Sequence, residues 1–393
     1  MTPAIRRQVA AAAACALTLL LAACGGGAST GTPAVGVGTS GGSTAASAGA
    51  ARAAYPALAT KNTTRISTAD SVGTAAATAR VVFPGTAAAQ RPGAVALADA
   101  RDWRGALAGA VLMAAPLHAP LLFTDNGEIP AQTAQALGAL APTGAASAAG
   151  AQAIRLGTAG DPGGLRTVSI AGNDPFTLAQ NIDGYRSRVA GSASRDVLVV
   201  SADAPDYAMP AAAWAAKSGD PVLFTARDTL PAPTRAALTA HAKPHIYVLG
   251  PATVVSGAVE RELSRYGNVT RITAGGPQAT AVAFARFVDG AFGWRVVDPG
   301  HGLVFASPTR PADAGAAAPL SASGTYGPLL LTDARGGLPP SVASYLLDIR
   351  PGYSSDPVRG VYNHGWIVGD PDAVSVDTQA TIDGLLEIAP VKP

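Results

Sequence analysis

Cysteine is nearly absent from this chain of 393 residues. The two cysteines, Cys15 and Cys24, both lie close to the N-terminus. The rest of the chain therefore has no thiol for an internal disulfide, for a zinc site built on cysteine or for a cysteine nucleophile. Aromatic residues are also scarce, at 5%, which predicts a core built mainly from aliphatic side chains.

The chain also lacks an excess of charge of either sign. Its formal net charge is +2, and Arg6 and Arg7 belong to an N-terminal segment with the pattern of a signal peptide. Without those two arginines, 26 basic residues balance 26 acidic ones. No bulk attraction to nucleic acid follows, and an anionic ligand would have to be held by individually placed groups. We therefore predict no nucleic-acid partner.

A positively charged start and a short apolar run open the chain. Arg6 and Arg7 precede an uncharged stretch from Val9 to Ala23. This stretch is too short to span a membrane comfortably and is typical of a signal peptide. It ends in Leu21-Ala22-Ala23-Cys24, which resembles the lipobox of bacterial lipoproteins. That resemblance implies cleavage before Cys24, a lipid such as palmitate on its thiol, and anchoring to the outer face of the cell membrane. The alternative is an ordinary secretory signal.

Common catalytic and metal-binding motifs are missing. The chain contains neither a His-Glu-x-x-His zinc motif nor a phosphate-binding Gly-x4-Gly-Lys-Ser/Thr motif. His241 and His245 are four residues apart, but Pro244 breaks the helix that would bring them together. Asp203 and Asp206 flank a predicted strand-to-helix turn and could act as paired carboxylates. No equivalent pair recurs elsewhere, so we predict no enzyme activity, no cofactor and no metal.

A short apolar segment, opened by proline and closed by threonine, occurs three times. The copies are Pro120–Thr124, Pro221–Thr225 and Pro328–Thr332. They are 101 and 107 residues apart, a period that indicates a domain-sized unit rather than a solenoid repeat. We call these copies the organising segments.

A second pattern marks the start of each unit. Arg65 and Arg271 each open an Arg-Ile-Ser/Thr sequence, nine residues before an alanine-rich helix. In the middle unit, Val168 takes the place of the arginine at the same spacing of 103 residues. Three units are therefore predicted, of which the middle one has lost its arginine.

Near-continuous apolar runs alternate with alanine-rich segments of helical length. Examples of such runs are Asp196–Ser201 and Gly302–Ala306, which are typical of strands buried on both faces. Strands that alternate with helices in this way form parallel βαβ units. We predict an α/β fold of three tandem Rossmann-like modules, each with a parallel sheet flanked by helices.

The predicted organisation has five parts. Module one should lack a final helix, because residues 157–164 are rich in Gly and Pro and too few to form one. Module three should carry an insertion near residues 350–364. The predicted parts are a signal peptide over residues 1–23, a lipidated cysteine with a flexible linker over 24–58, and modules over 59–166, 167–270 and 271–393.

The order of these motifs resembles the cell-wall-binding repeat type 2 family, which occurs as three tandem copies in surface proteins of Gram-positive bacteria. The resemblance covers about Thr60 to Ile388. It rests on the Arg-Ile-Ser/Thr starts, the small-residue helices and the organising segments, taken together with their shared order and spacing. It implies a pseudo-threefold arrangement of the modules and non-catalytic binding of a cell-wall polymer, either an anionic glycopolymer or one associated with peptidoglycan.

The resemblance also implies which residues contact that polymer. In this family the organising segments are implicated in wall attachment, with the arginines and helix-starting aspartates nearby in the motif order. The implied polymer-binding residues are Leu121, Leu122, Thr124, Val222, Leu223, Thr225, Leu329, Leu330, Thr332, Arg65, Arg271, Asp206 and Asp313.

The residues themselves leave these roles open. Leucines in a buried strand are most simply core, whereas the threonines at strand ends are better placed, because ligands bind beyond the carboxyl ends of parallel strands. Asp206 and Asp313 begin helices, where a carboxylate can cap free N–H groups, and Gly105 has replaced the aspartate in module one. Arg65 and Arg271 either grip an anion or pair with those aspartates; the pairing is favoured.

Two functions follow from the sequence. The first is a non-catalytic, lipid-anchored protein of the cell envelope whose three modules bind wall polymer. The second is a surface lipoprotein that acts as a receptor or scaffold for a protein or a small solute. The second gains weight from the lost residues at Gly105 and Val168 and from the neutral charge.

Overall fold

The computed structural model describes residues 58–391 of the chain. The predicted signal peptide, Cys24 and nearly all of the predicted linker lie outside the described residues. These described residues belong to one compact unit, which contains the sheets and the core described below. None of the described helices is both long enough and apolar enough to cross a membrane.

The described strands and helices alternate as predicted. The strands are β1 Leu58–Ala59, β2 Thr63–Ile66, β3 Val95–Asp99, β4 Leu121–Thr124, β5 Ala153–Leu156, β6 Thr167–Ile170, β7 Asp196–Ser201, β8 Val222–Thr225, β9 His245–Leu249, β10 Asn268–Ile272, β11 Gly302–Ala306, β12 Leu329–Leu331, β13 Gly352–Tyr353, β14 His364–Val368 and β15 Ala389–Pro390. The α-helices are α1 Ser71–Val82, α2 Trp103–Gly109, α3 Ala131–Leu140, α4 Pro175–Ala190, α5 Pro205–Ser218, α6 Ala232–Ala240, α7 Gly257–Leu263, α8 Pro277–Arg286, α9 Ala312–Ala322, α10 Pro340–Asp348 and α11 Val376–Leu385.

Three parallel sheets carry the fold, which confirms the predicted α/β class with its repeated modules. Their strand orders are β4-β3-β5-β6, β8-β7-β9-β10 and β12-β11-β14-β2. On the last sheet, β1 adds a short antiparallel strand outside β2. The small β13–β15 pair lies apart from them and uses part of the insertion predicted in module three.

Each sheet takes its fourth strand from the start of another unit. Strand β6 opens unit two but pairs with β5, and β10 opens unit three but pairs with β9. Strand β2, near the start of the described chain, pairs with β14 near its end and so closes the ring. The helix after each exchanged strand packs on the next module: α1 on β4, α4 on β8 and α8 on β12. The module boundaries read along the sequence stay a prediction.

One alanine-rich helix from each module lies at the centre. Helices α2, α5 and α9 each contact the other two. The second half of α5 and nearly all of α9 are buried, as the central place requires. A Cβ built on Gly315 of α9 would lie 2.6 Å from the carbonyl oxygen of Ala106 in α2. The backbones of the two helices therefore approach so closely that a side chain does not fit between them.

Module one lacks the helix that modules two and three have after their third strand. Helix α7 follows β9, and α11 follows β14, whereas β5 leads through a loop directly to β6. The prediction of a shortened module one is confirmed. The loop is nevertheless tied down, because Ala159 is fully buried in it.

We predict that the Gly315→Ala substitution lowers the free energy of unfolding by about 1–3 kcal/mol, because the new methyl group forces two central helices apart. The measurement is urea unfolding of residues 49–393. The matched control is Gly138→Ala in α3, where an added Cβ meets nothing within 4 Å. That change should stabilise the protein by up to about 1 kcal/mol through helix propensity. Equal effects of the two substitutions would show that the central helices are free to separate.

Candidate functional site

The strands of the organising segments are buried along their whole length. A residue in this position packs between helix layers and has no surface to offer a polymer. The burial assigns these side chains to packing, and their implied role in polymer binding stays a prediction. The residues concerned are each at most 2% exposed: Leu121, Leu122, Val222, Leu223, Leu329 and Leu330.

The threonines at the ends of these strands are buried as well. The hydroxyl of Thr124 accepts the N–H of Gly160 at 3.1 Å. The hydroxyl of Thr225 donates to the carbonyl of Thr229 at 2.8 Å, and that of Thr332 bonds the carbonyl of the residue after it. Each hydroxyl therefore ties a strand end to a loop and shapes the carboxyl edge of its sheet from inside.

Arg65 clamps a loop of module three. It is fully buried in β2, and its guanidinium donates to the carbonyls of Gly369 at 3.0 Å and Val374 at 2.8 Å. Its Nε donates to Gln379 of α11 at 2.7 Å. Burial lowers the pKa of Arg65, and the carbonyls around it supply the compensating contacts. Arg65 therefore holds the turn between β14 and α11 in place.

Arg271 does the same in module two. It donates to the carbonyls of Gly250 at 2.7 Å and Val255 at 2.9 Å, and it pairs with Glu260 of α7 at 2.7 Å. The predicted pairing of these arginines with Asp206 and Asp313 is wrong. The reason is geometric: each arginine lies on an exchanged strand beside the third strand of its sheet, whereas the aspartates follow the central strand.

Module one keeps the clamp but moves the arginine. The strand-end hydrogen bonds are the same in all three sheets, and they place Ser169, not Val168, at the position of the two arginines. On the neighbouring strand β5, Arg155 donates to the carbonyl of Ala159 at 2.7 and 3.0 Å. The loop after the third strand is thus held by a guanidinium in each module.

We predict that the Arg65→Met substitution lowers the free energy of unfolding by about 3 kcal/mol, because buried carbonyls of the β14–α11 turn lose their donor. Urea unfolding of residues 49–393 measures the effect. The exposed Arg261 provides the control, since Arg261→Met should change the free energy by less than about 0.5 kcal/mol. A similarly small effect of Arg65→Met would exclude the clamp.

The turns that lead into the central helices are built alike. Asp99 and Ser201 end their central strands, and Ser307 directly follows the third. The side chain of each accepts the backbone N–H of the residue two positions later, at 2.9, 3.1 and 3.4 Å. Such turns fix the direction of the following helix. They also bring equivalent loops to the carboxyl end of each sheet, where open α/β sheets bind ligands.

Cleft one, of about 220 Å³, opens at the carboxyl ends of β3, β5 and β6. Asp102 lines it from the turn after β3, Arg104 from the first turn of α2, and Asp174 from the start of α4. Hydrogen bonds from the side chain and the backbone N–H of Thr177, and from the backbone N–H of Phe176, lower the pKa of Asp174. A Cβ on Gly105 would lie 2.3 Å from the Asp102 carboxylate. Asp102 therefore fills the space of the aspartate that module one lacks.

Cleft two, of about 510 Å³, opens at the carboxyl ends of the strands of module two, and loops of module three complete it. Asp203 lines it from the turn after β7, Asp206 and Tyr207 from the first turn of α5, and Gln278 from α8. Burial raises the pKa of Tyr207. Asp206 is half-buried, and its implied contact with polymer thus has an open surface here, although the role itself stays a prediction.

The third equivalent place is filled by a protein side chain. The Nε of Arg310 lies 2.8 Å from the Asp313 carboxylate, and its Nη atoms donate to the carbonyl of Thr68 and the hydroxyl of Thr74. Asp313 is fully buried, and burial raises its pKa although the charge of Arg310 opposes the shift. The carboxylate of Asp370 lies 3.8 Å from the guanidinium of Arg310. Polar groups that line the other clefts are here paired with one another.

A simple sequence signal for this difference exists. Asp102, Asp203 and Arg310 each lie 18 residues before the proline of an organising segment. The change from aspartate to arginine at that position marks the filled site. The residue type at this position therefore indicates which modules have an open cleft, which the organising segments alone do not.

Carboxylates dominate the two open clefts. Arg104 is the cation that links them: it donates to the carbonyl of Ala202 at 2.6 Å and lies 3.8 Å from Asp203. Its guanidinium also lies over the ring of Trp103, 4.6 Å from the centroid. Carboxylates accept hydrogen bonds from hydroxyl groups and repel phosphates. The clefts therefore suit a hydroxyl-rich ligand, with room for an anion only beside Arg104.

A buried polar cluster in module two was not predicted. His241 donates from Nε2 to Asp183 at 2.8 Å and from Nδ1 to the carbonyl of Ser194 at 2.7 Å. Both partners are acceptors, so the ring carries both protons and is charged. The hydroxyl of Ser194 bonds Asp220 rather than His241, so the cluster lacks the serine–histidine contact of an activated nucleophile. No group of metal-binding side chains lies together within residues 58–391.

We predict that the His241→Leu substitution lowers the free energy of unfolding by about 3 kcal/mol at pH 6, because Asp183 stays buried without a partner. Burial lowers the pKa of His241, but the hydrogen bond and the charge of Asp183 raise it and, with smaller contributions from other neighbours, outweigh the effect of burial. The pKa of His241 in the folded protein therefore lies above its ordinary value. The contribution is therefore complete below about pH 6.5 and is lost as the pH rises through the folded pKa. Urea unfolding across pH 6–9 measures this.

His245→Leu is the control, because the His245 side chain is 54% exposed beside Asp196. Exposed pairs of this kind contribute little to stability. A pH-independent difference between wild type and His241→Leu would contradict the charged state of His241.

Comparison with known proteins supports the repeat reading. Residues 169–260 match the family "Cell wall binding domain 2 (CWB2)". No curated protein sequence matches the chain. Among solved structures, "Cwp8 from Clostridium difficile" superposes with a TM-score of 0.63 at 16% identity, covering 83% of this chain and 52% of that one. For "Cwp6 from Clostridium difficile" the values are 0.62, 16%, 83% and 48%.

These two likenesses differ in what they establish. At 16% identity the structural match shows the fold alone, and this chain spans about half the length of either protein. The family match extends from β6 into α7 and so covers the middle of the three modules. The sequence match to the cell wall binding domain 2 family is therefore confined to the middle module, where it agrees with the resemblance described above.

Proposed function

We propose that this protein binds a polymer of the bacterial cell wall through the carboxyl ends of its parallel sheets. The observation that carries the proposal is the family match over residues 169–260, which include the turn after β7 that lines cleft two. The topology agrees, because this edge is where open parallel sheets bind ligands.

The chemistry of the clefts indicates which part of the polymer is held. Asp203, Asp206 and Asp102 accept hydrogen bonds from sugar hydroxyls, and the ring of Tyr207 offers an apolar face beside them. A phosphate of an anionic glycopolymer would lie near Arg104, between the two clefts. The polymer is therefore recognised mainly by its sugars, and module three contributes the edge of cleft two rather than a cleft of its own.

The same proposal includes the location and the absence of catalysis. A lipid on Cys24 anchors the chain to the outer face of the membrane, and the linker lets the folded unit reach the wall. The described residues that line the two clefts include no cysteine, serine, histidine or lysine. Binding without turnover is the function that such a carboxylate-lined surface supports.

We predict that residues 49–393 co-sediment with purified cell walls. The comparison is between intact walls and walls whose anionic polymers have been removed by acid extraction. Loss of binding after extraction identifies the anionic polymer as the ligand, and retained binding identifies peptidoglycan. If the protein stays in the supernatant with both preparations, the proposed function is wrong.

A cleft variant connects that binding to the site. Asp203→Asn with Asp206→Asn should weaken wall binding about tenfold or more, because two charge-assisted hydrogen bonds to hydroxyls are reduced. Asp228→Asn, which changes an exposed carboxylate near Arg227, is the control and should leave binding unchanged. Equal binding by all three proteins would place the polymer elsewhere on the molecule.

A further inference from the structure

The outer edge of the first sheet is open. Strand β6 pairs with β5 on one side, and no described strand pairs with it on the other. The carbonyl of Ile170 points toward β5, where it accepts the N–H of Gly157. Because neighbouring residues of a strand point in opposite directions, the N–H and C=O of Ser169 face outward. Ser169 is also exposed. Such an edge is a template for an added strand.

The third sheet shows how that template is used in this fold. Its exchanged strand β2 is the counterpart of β6, and Arg65 is the counterpart of Ser169. There β1 adds an antiparallel strand, with Leu58 opposite Arg65 and Ala59 opposite Thr64. At the end of this added strand, Lys61 forms an ion pair with Glu387. A strand of the same kind on β6 would lie opposite Ser169.

A groove of about 700 Å³ lies beside the open edge. Strand β6 forms one wall, and helices α4 and α6 form the other. Its lining is part apolar and part polar: Ile170 and Ala237 are buried in it, and Asn181 and Gln180 lie at its side. The carboxylate of Asp183 also lines it, but Asp183 is buried and paired with His241. A groove between an edge strand and a helix is the arrangement that binds extended peptides, since the strand edge holds the backbone and the groove holds a side chain.

Two polar groups of α4 in this groove, the Tyr185 hydroxyl and the Arg188 guanidinium, have no hydrogen-bond or ion-pair partner among the described side chains. Tyr185 is 8% exposed, yet its hydroxyl makes no hydrogen bond to any described residue. A buried hydroxyl without a partner is unfavourable and is satisfied when a ligand supplies one. Arg188 is exposed in the last turn of α4, 5.9 Å from the Tyr185 ring centroid. Within residues 58–391, no carboxylate lies within 4.0 Å of it.

We propose that β6 and this groove bind an extended, acidic segment of a partner protein by strand addition. The segment pairs antiparallel with β6 opposite Ser169, places one side chain in the groove beside Tyr185, and sets a carboxylate against Arg188. The charge is reversed relative to the third sheet, where the added strand brings the cation Lys61 to the carboxylate of Glu387. This docking surface is separate from clefts one and two and does not depend on polymer binding.

The test uses a fluorescein-labelled peptide, Tyr-Pro-Ala-Leu-Ala-Thr-Glu, which copies residues 55–60 and ends in an added glutamate. Fluorescence anisotropy measures its binding to residues 49–393. We expect saturable binding that weakens at least tenfold with Ser169→Pro, because proline removes the outward N–H while remaining compatible with an edge strand. Ser169→Ala keeps the N–H and is the matched control, with affinity unchanged.

Charge and hydroxyl variants complete the test. Arg188→Glu should weaken binding about tenfold, and a peptide ending in lysine should restore the affinity of that variant. Tyr185→Phe should weaken binding several-fold. Circular dichroism confirms that each variant is folded, so that a loss reports binding rather than unfolding.

Three outcomes would overturn the proposal. The first is that no binding is detected at about 1 mM protein, because a dissociation constant above that value means negligible specific contact. The second is equal binding by Ser169→Pro and Ser169→Ala. The third is binding of an N-acetylglucosamine oligomer in the groove that Tyr185→Phe abolishes and Ser169→Pro leaves intact. The last result would assign the groove to a glycan instead of a protein.

Discussion

The close approach of three helix backbones at the centre of the molecule governs the rest of the structure. Helices α2, α5 and α9 meet there, and the contact between Gly315 and the backbone of Ala106 leaves no room for a side chain. Small residues satisfy this constraint at the points of contact, and α5 and α9 are accordingly rich in alanine. Since small residues bury little area each, the core depends on dense packing rather than on large side chains.

This centre also determines where the open clefts lie. The turn after each central strand leads into a central helix, so the three turns gather close together, as the bond from Arg104 to the carbonyl of Ala202 shows. The modules then differ by single residues in one position. Aspartate leaves a cleft open in modules one and two. In module three, Arg310 instead pairs with Asp313 and donates to the carbonyl of Thr68, near the start of the described chain. Near-symmetric folding thus gives an asymmetric surface.

The sequence predicts the strands, the helices and the missing helix of module one, because buried parallel strands and alanine-rich helices have distinct patterns. It does not predict that β2, β6 and β10 join a sheet other than that of their own unit. A short half-buried strand has the same pattern whichever neighbour it pairs with, and only tertiary contacts decide. Arg65 was misjudged for a related reason: its partners are backbone carbonyls far along the chain, which leave no trace in side-chain patterns. The sequence spacing places Val168 at the position of the two arginines, whereas the hydrogen bonds between strands place Ser169 there. A shift of one residue in strand register leaves no signal in the sequence.

The pairing of β2 with β14 has a consequence for the life of the chain in the cell. The hydrogen bond from Arg65 to Gln379 joins residues 314 positions apart, so β2, near the start of the described residues, waits for β14, near their end, before its sheet is complete. Until then β2 and the edge of the third sheet at β14 remain unpaired. Unpaired strand edges favour chaperone binding, and contacts between distant residues slow folding. A chain whose two ends are both available before folding begins avoids this delay, because β2 and β14 can then pair as soon as they meet.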